Sequence, residues 1–290
     1  MLGSKQLVNL VRVLAFDASP GSQISDDDIL GHIDASIGFY QVKCAEENKD
    51  FFLRPTDITY VADQEMYRWA RFVSRISMVE KTSLTPSAPA ITTSFAEKFA
   101  LNYGWGRNLV GQDAYFLRNT ELGVAPVPNS AGDTLRVWAS SAPPPMHYGI
   151  VSAAAATTLT FASTPTKGNR INLNDAYNEI PIIALDSTER VIEPNVITDY
   201  VASTRVCTLG FTWTTTPTAA SSLYQLCPPL PEQFHPMVAY RAAAVAKIAL
   251  EDSVNELLAM ERDFFSTFTS YISRNQDQTP KGVTRLRWRM

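Results

Sequence analysis

Three histidines, three cysteines, an acidic triplet and a basic C-terminus are the residues of this 290-residue chain whose chemistry could serve a reaction or a ligand. His32, His147 and His235 stand far apart, without the H-x-x-x-H or H-E-x-x-H spacing that brings two imidazoles to one metal. Asp26-Asp27-Asp28 follows Ser25 directly. That pattern reads as a helix start, its carboxylates meeting the positive end of the helix dipole. No second acidic or histidine cluster lies nearby in sequence to complete a metal shell. Cys44, Cys207 and Cys227 form no C-x-x-C pair. A Cys207–Cys227 bridge is open to them, but reduced, buried thiols from a reducing compartment are the expectation. There is no G-x-S-x-G elbow and no G-x-x-x-x-G-K loop, so neither a hydrolase nor a nucleotide-binding reading finds support. The expectation is a protein that is not an enzyme and takes no cofactor or metal. Tyr103-Gly104-Trp105-Gly106-Arg107 sets aromatics beside glycines, as a stacking platform would, but reads better as a loop plug or a subunit contact.

Composition narrows the class without naming it. Hydrophobic residues make up 45% and charged residues 19%, which suits a folded chain and excludes wholesale disorder. The net charge of −4 argues against a general nucleic-acid coat. No apolar run approaches the length a membrane span needs, and Met1 to Ser4 does not open a signal peptide. No membrane partner is expected.

The periodicity of the chain changes three times. Residues 1–50 read as a helix hairpin. Ser4 is placed to cap the first helix, with Leu7, Leu10, Val11 and Leu14 on one face, and Pro20-Gly21 ends the segment. The second starts at Ser25 and carries Ile29, Ile33, Ile37, Tyr40 and Cys44 as a stripe. Residues 51–145 are β-rich, with strands expected at Ile58–Val61, Phe72–Val79, Ala114–Leu117 and Leu135–Ala139. A proline-bearing linker over Ser83–Ala90 and a short helix with a Ser94/Glu97 capping box lie between them. Residues 146–228 form a small, mostly antiparallel β domain. Positions 151–226 hold 14 threonines and a single lysine, which favours strands over helices there. Strands are expected at Ile171–Leu173, Ile180–Leu185, Val196–Tyr200, Arg205–Leu209 and Phe211–Thr214, with a hairpin turn at Ala202-Ser203-Thr204.

Residues 229–274 return to helix. From Met237 to Thr279 there is no glycine or proline, and Pro236 suits a first helical turn. Val238, Ala242, Val245 and Ala249 form the expected packing stripe, its alanines allowing a close backbone approach. After a break at Glu251-Asp252-Ser253, a second helix carries Val254, Leu257, Leu258, Phe265, Phe268 and Ile272. The fold class expected is therefore α+β: a four-helix framework made by the two chain ends, with antiparallel β insertions. Residues 275–290 are a tail of net charge +3, with Lys281, Arg285, Arg287 and Arg289 around Trp288.

This layout resembles the head-to-tail adaptor (neck, or connector) proteins of tailed bacteriophages. Ser25 to Tyr40 looks like the family's second helix. Tyr115 to Asn119, then Leu122 to Pro128, is similar to its strand-turn-strand, and Leu135 to Pro145 to the proline-rich exit. Leu230-Pro231-Glu232 with His235, Tyr240 and Arg241 resembles the start of its first C-terminal helix. Asp175 to Ile180, Ile197 to Tyr200, Arg205-Val206, Trp213, Pro217, Ser222 and Tyr224 look like a small β module of phage virion proteins. Asn178-Glu179 and Asp186 to Arg190 stand where that module carries glycines, and Tyr67-Arg68-Trp69 lacks a proline of the adaptor pattern. The resemblance implies a structural virion protein of the neck, assembled in the bacterial cytoplasm as a homo-oligomeric ring, typically dodecameric. It would join the portal protein to the next neck or tail protein and let genomic DNA pass without specific binding. Lys281, Arg285, Arg287, Trp288 and Arg289 would be the portal-docking tail. The alternatives are a tail-side subunit, such as a tail terminator or baseplate component, and a virion-associated hydrolase.

Overall fold

The computed structural model describes residues 1–15, 24–46, 53–68, 73–82, 88–89, 91–92, 114–118, 121–125, 127–141, 143–249 and 254–276. Helices α1 (Ser4–Leu14) and α2 (Asp26–Glu46) open the chain, and α3 (His235–Ala249) and α4 (Asn255–Gln276) close the described part. The fold is α+β, with helices at both chain ends.

The stripe on α2 is buried as its spacing requires: Ile29, Ile33, Ile37, Tyr40 and Cys44 all face the core. Ser25 caps it. Its hydroxyl accepts from the Asp28 N–H (3.1 Å) and donates to the Asp28 carboxylate (2.6 Å), which also takes the Ser25 N–H (3.3 Å). At α1 the cap differs from expectation. Gly3, not Ser4, is the N-cap; Ser4 lies in the first helical turn and its hydroxyl donates across the fold to the His147 carbonyl at 2.9 Å. The exposed N–H groups of Lys5 and Gln6 are taken instead by Gln225 Oε1, at 3.0 and 3.3 Å.

α3 is the hub of the helices, packing on α1, α2 and α4. Val238 and Ala242 are buried as expected, together with Ala239, Ala243 and Ala246. Val245 departs from the expected stripe and is 37% exposed. It lies about 100° round the helix from Ala246, beyond the edge of the packed face. Ala249 ends the helix. On α4, Leu257, Phe268 and Ile272 are buried, and Phe265 packs against them half-buried.

Between the helix pairs the chain builds three sheets. One has the order β1 (Leu53–Thr59), β8 (Thr134–Ser141), β3 (Val73–Lys81), β4 (Ala88–Pro89). A second has the order β2 (Met66–Arg68), β7 (Glu121–Ala125), β6 (Ala114–Arg118), β5 (Ile91–Thr92). In β8, Leu135, Val137 and Ala139 are buried while Arg136 and Trp138 are less so, the alternation of a one-sided strand. β6 and β7 form the expected strand-turn-strand, with Phe116 opposite Gly123. A Cβ at Gly123 would fall within 2.1 Å of the Phe116 ring, so the aromatic occupies the space the glycine leaves. β5 pairs in parallel with β6 over two residues, an exception to the antiparallel expectation. The Ser94 helix and the Tyr103–Arg107 segment lie outside the described residues, as do Ser83 to Ser87 of the linker.

The third sheet has seven strands, all paired antiparallel. Its order is β10 (Ala153–Ala155), β11 (Thr158–Thr160), β14 (Val206–Leu209), β13 (Val191–Val201), β12 (Pro181–Leu185), β15 (Leu223–Leu226), β9 (Tyr148–Ile150). The turn at residues 202–205 joins β13 to β14, as the sequence predicts. Two expected strands do not form. Phe211–Thr214 is held by side chains instead: the Asn195 amide exchanges bonds with Phe211 O (2.8 Å) and Phe211 N (3.2 Å), and Glu193 accepts the Thr214 N–H at 2.8 Å. Ile171–Leu173 leads into a turn, the Ile171 N–H donating to the Tyr177 hydroxyl at 2.8 Å. One hydrophobic core runs continuously through the four helices and this sheet, whereas the other two sheets share a separate, smaller core around Tyr60, Tyr67, Tyr115, Leu135 and Val137.

Candidate functional site: the helix–sheet junction and the outer helix faces

The junction between the chain ends and the seven-stranded sheet gathers most of the chemistry-bearing residues singled out above. Each carboxylate of the acidic triplet has its own partner. Asp28 caps the helix, and the Ser25 hydrogen bonds hold its carboxyl below the usual range. Asp26 Oδ1 takes Arg12 Nε at 3.1 Å and Nη2 at 2.5 Å, and its Oδ2 accepts from the Tyr148 hydroxyl at 3.1 Å. Burial opposes its ionisation, but the Arg12 and Tyr148 hydrogen bonds and the Arg12 charge win, and its pKa is lowered. Asp27 accepts the Gly168 N–H at 2.8 Å and faces Lys167 Nζ at 3.6 Å. The triplet is thus both a helix cap and a staple onto the loops of the β module.

Asp34, two turns along α2, accepts the Met146 N–H at 2.8 Å. Burial pushes its carboxyl up to about 7, against the opposing effect of that hydrogen bond. Next to Met146 in sequence, His147 is fully enclosed. Its ring meets Phe161, Tyr177 and Tyr224 edge-on, with centroids 5.1, 5.2 and 5.6 Å away. Nδ1 lies 3.3 Å from the Tyr224 hydroxyl, and burial, helped by the Arg170 charge, drops the imidazole to about 3. A neutral ring locked in an aromatic cage is a packing element. His235 works similarly at the start of α3, where its Nε2 lies 2.9 Å from the Leu230 carbonyl and its Nδ1 3.1 Å from the Leu2 N–H. The N-terminal ammonium pairs with Glu232 next to it, so the first residue of the chain is tied to the start of α3.

Within the helices, Tyr40 donates to Glu261 at 2.8 Å, Arg241 Nη1 lies 3.5 Å from the same oxygen, and the guanidinium sits 3.4 Å from the Phe39 ring centroid. This polar knot joins α2, α3 and α4. Sequence reasoning missed it, although a carboxylate at 261 between Leu257 and Phe265 on one stripe was its visible signal. Asp34, between Ile33 and Ile37, was another. His147 carried no local signal, because its cage is assembled from strands far apart in sequence.

Among the described residues there is no group of three or more His, Cys, Asp or Glu placed to hold a metal ion. Cys44, Cys207 and Cys227 are buried and not joined in disulfides, and burial raises the Cys227 thiol to about 12. Two surface depressions are lined by described residues. One, of 430 Å³, is apolar and lined by Gln233, Phe234, Asp263, Phe264 and Thr267; the other, of 320 Å³, is edged by Asp186, Ser187, Thr215 and Thr216. On α3, Val245 and Ile248 face outward, Ile248 60% exposed, and Phe211 protrudes from the β module at 67%. Lys281, Arg285, Arg287, Trp288 and Arg289 lie outside the described residues. No described helix is long and apolar enough to cross a membrane. The chain matches no known protein-family profile and no curated protein.

Proposed function

We propose that this chain is a structural subunit of a bacteriophage neck, a head-to-tail adaptor that acts by assembly and not by chemistry. The observation that carries the reading is the convergence of both chain ends on one four-helix body, with a β module stapled to it by Asp26, Asp27 and Asp34. This is the architecture that the ordered resemblances of the sequence imply. The body would form a ring, dodecameric in the family, with the exposed Val245 and Ile248 of α3 available to a neighbouring copy. The basic tail would dock on the portal protein, and the β module would meet the next neck or tail protein. A body more acidic than the whole chain suits a conduit, because a strongly basic lumen would hold the phosphates of passing DNA. The particle site is the virion neck, reached after assembly in the host cytoplasm.

Co-sedimentation with the portal ring of the same genome tests this. Because α4 runs to Gln276, the comparison is the full chain against one ending there. Tail-dependent binding near one copy per portal subunit is the expected result. Equal binding by both forms would remove the tail from the interface, and no binding by either would move the protein to the tail side.

A further inference from the structure

The 430 Å³ depression between the 3₁₀ turn Glu232–Phe234 and α4 has an apolar floor, made by Phe234 and Phe264. Phe234 is itself braced by Phe268 and Tyr271, with centroids 4.9 and 5.5 Å away, and Phe264 by Tyr240 at 5.6 Å. Both rings of the floor are therefore packed from behind. At its edge the Asp263 carboxylate is exposed and makes no ion pair with any described residue. An aromatic floor with one free carboxylate suits a segment that offers an apolar side chain next to a cation.

The chain carries such a segment within reach. After α4 come Pro280-Lys281-Gly282, residues that favour a reversal of direction. Arg285-Leu286-Arg287-Trp288-Arg289-Met290 then alternates basic and apolar. In an extended strand this puts Leu286, Trp288 and Met290 on one side and the three arginines on the other. Thr267 and Asp263 precede Gln276 by nine and thirteen residues of helix, about 13 and 20 Å along the axis. Trp288 lies twelve residues beyond Gln276, roughly 40 Å of extended chain, so a chain that reverses within Pro280–Gly282 has length enough to return over that interval. Charge favours the same docking: the tail is basic, whereas the chain as a whole has a net charge of −4.

We infer that the segment Arg285–Met290 docks on its own subunit, Trp288 against Phe234 and Phe264 and an adjacent arginine on Asp263. This goes beyond the portal reading and does not depend on it, since it concerns the isolated chain. Where both hold, the portal competes with the groove for the tail, and the groove keeps an aromatic-basic segment covered before assembly.

The test is cross-linking in the full chain. Gln233→Cys and Met290→Cys are introduced together and joined with a short bismaleimide at high dilution; the native cysteines are all buried. An intramolecular cross-link is expected. Asp263→Lys should slow it by roughly fivefold, the upper range for one exposed ion pair. Arg287→Glu together with Arg289→Glu in that background should restore the rate, which a folding defect would not do. Trp288→Ser should slow it more than any single charge change. A rate indifferent to Asp263→Lys and Trp288→Ser, or cross-linked dimers in place of monomers, would overturn the inference. Portal co-sedimentation is read separately, so the two failures are distinguishable.

Discussion

The body formed by the helices and the seven-stranded sheet, and the pair of four-stranded sheets over residues 53–141, are built on different principles. In the first, one core spans elements from both chain ends and the β module, and it is pinned by bonds of long sequence separation: Ser4 to His147, Lys5 to Gln225, Asp34 to Met146, Leu2 to His235. In the second, a much smaller core lies within a single stretch of chain, and the Arg136–Asp57 ion pair beside it lies at the surface. Surface pairs of that kind add little stability, and a small core opens more readily than a large one. The difference predicts two stabilities: the first body should unfold as a unit, and the second should open without it.

Substitutions sharpen this contrast. Phe161→Ala, which empties the cage around His147, should cost about 3–5 kcal/mol and lower the melting of helices and β module together. Leu135→Ala in the smaller core should cost about 2–5 kcal/mol by the same mechanism, yet appear as local opening of residues 53–141 with the helical circular-dichroism signal unmoved. A shared transition in both variants would erase the distinction. Ala246→Leu overfills the close contact of α3 and should cost about 1–3 kcal/mol in a thermal or urea melt.

Asp34→Asn gives a signed effect at the junction. The folded carboxyl titrates near 7 and the unfolded one near 3.8. The native state therefore binds more protons between these values, and the stability this group allows is present below pH 3.8 and lost as pH rises to 7. Asparagine keeps an acceptor for the Met146 N–H and removes the charge. It should raise the melting temperature at pH 8 and leave it unchanged near pH 3. The reverse pattern would mean that Asp34 is stabilised as an anion. The smallest effect is expected at Val245→Ala, about 1 kcal/mol or less for the isolated chain because the side chain sits at the edge of the packed face, 37% exposed. A larger loss that depends on protein concentration would reveal a neighbour packed on it.

The legible parts of the fold were those with long periods. The α2 stripe, the Ser25 cap, the β8 alternation and the β13–β14 turn follow from spacing and turn chemistry alone. β9, β10, β11 and β15 were missed because strands of three or four residues, one of them all alanine, carry no pattern above background. The Ser4 cap failed because a tertiary acceptor, Gln225 Oε1, takes the first-turn N–H groups that a local cap would have satisfied. Within the site, the roles of the acidic triplet were half legible: the cap is local, but Tyr148 and Gly168 reach it only through the fold. Val245 shows the limit of a stripe argument on a helix packed on three sides, where apolar spacing no longer marks one face.

Both the site and its proposed role rest on the chain ends and the β module forming one cooperative body. Native-state hydrogen exchange tests this most directly. The account predicts that amides of α1, α2, α3 and of β12 to β15 exchange through one shared, slowest opening, while β1, β3 and β8 open at lower free energy. Exchange of the helices independently of β12 to β15, or of all three sheets at a single common rate, would contradict it.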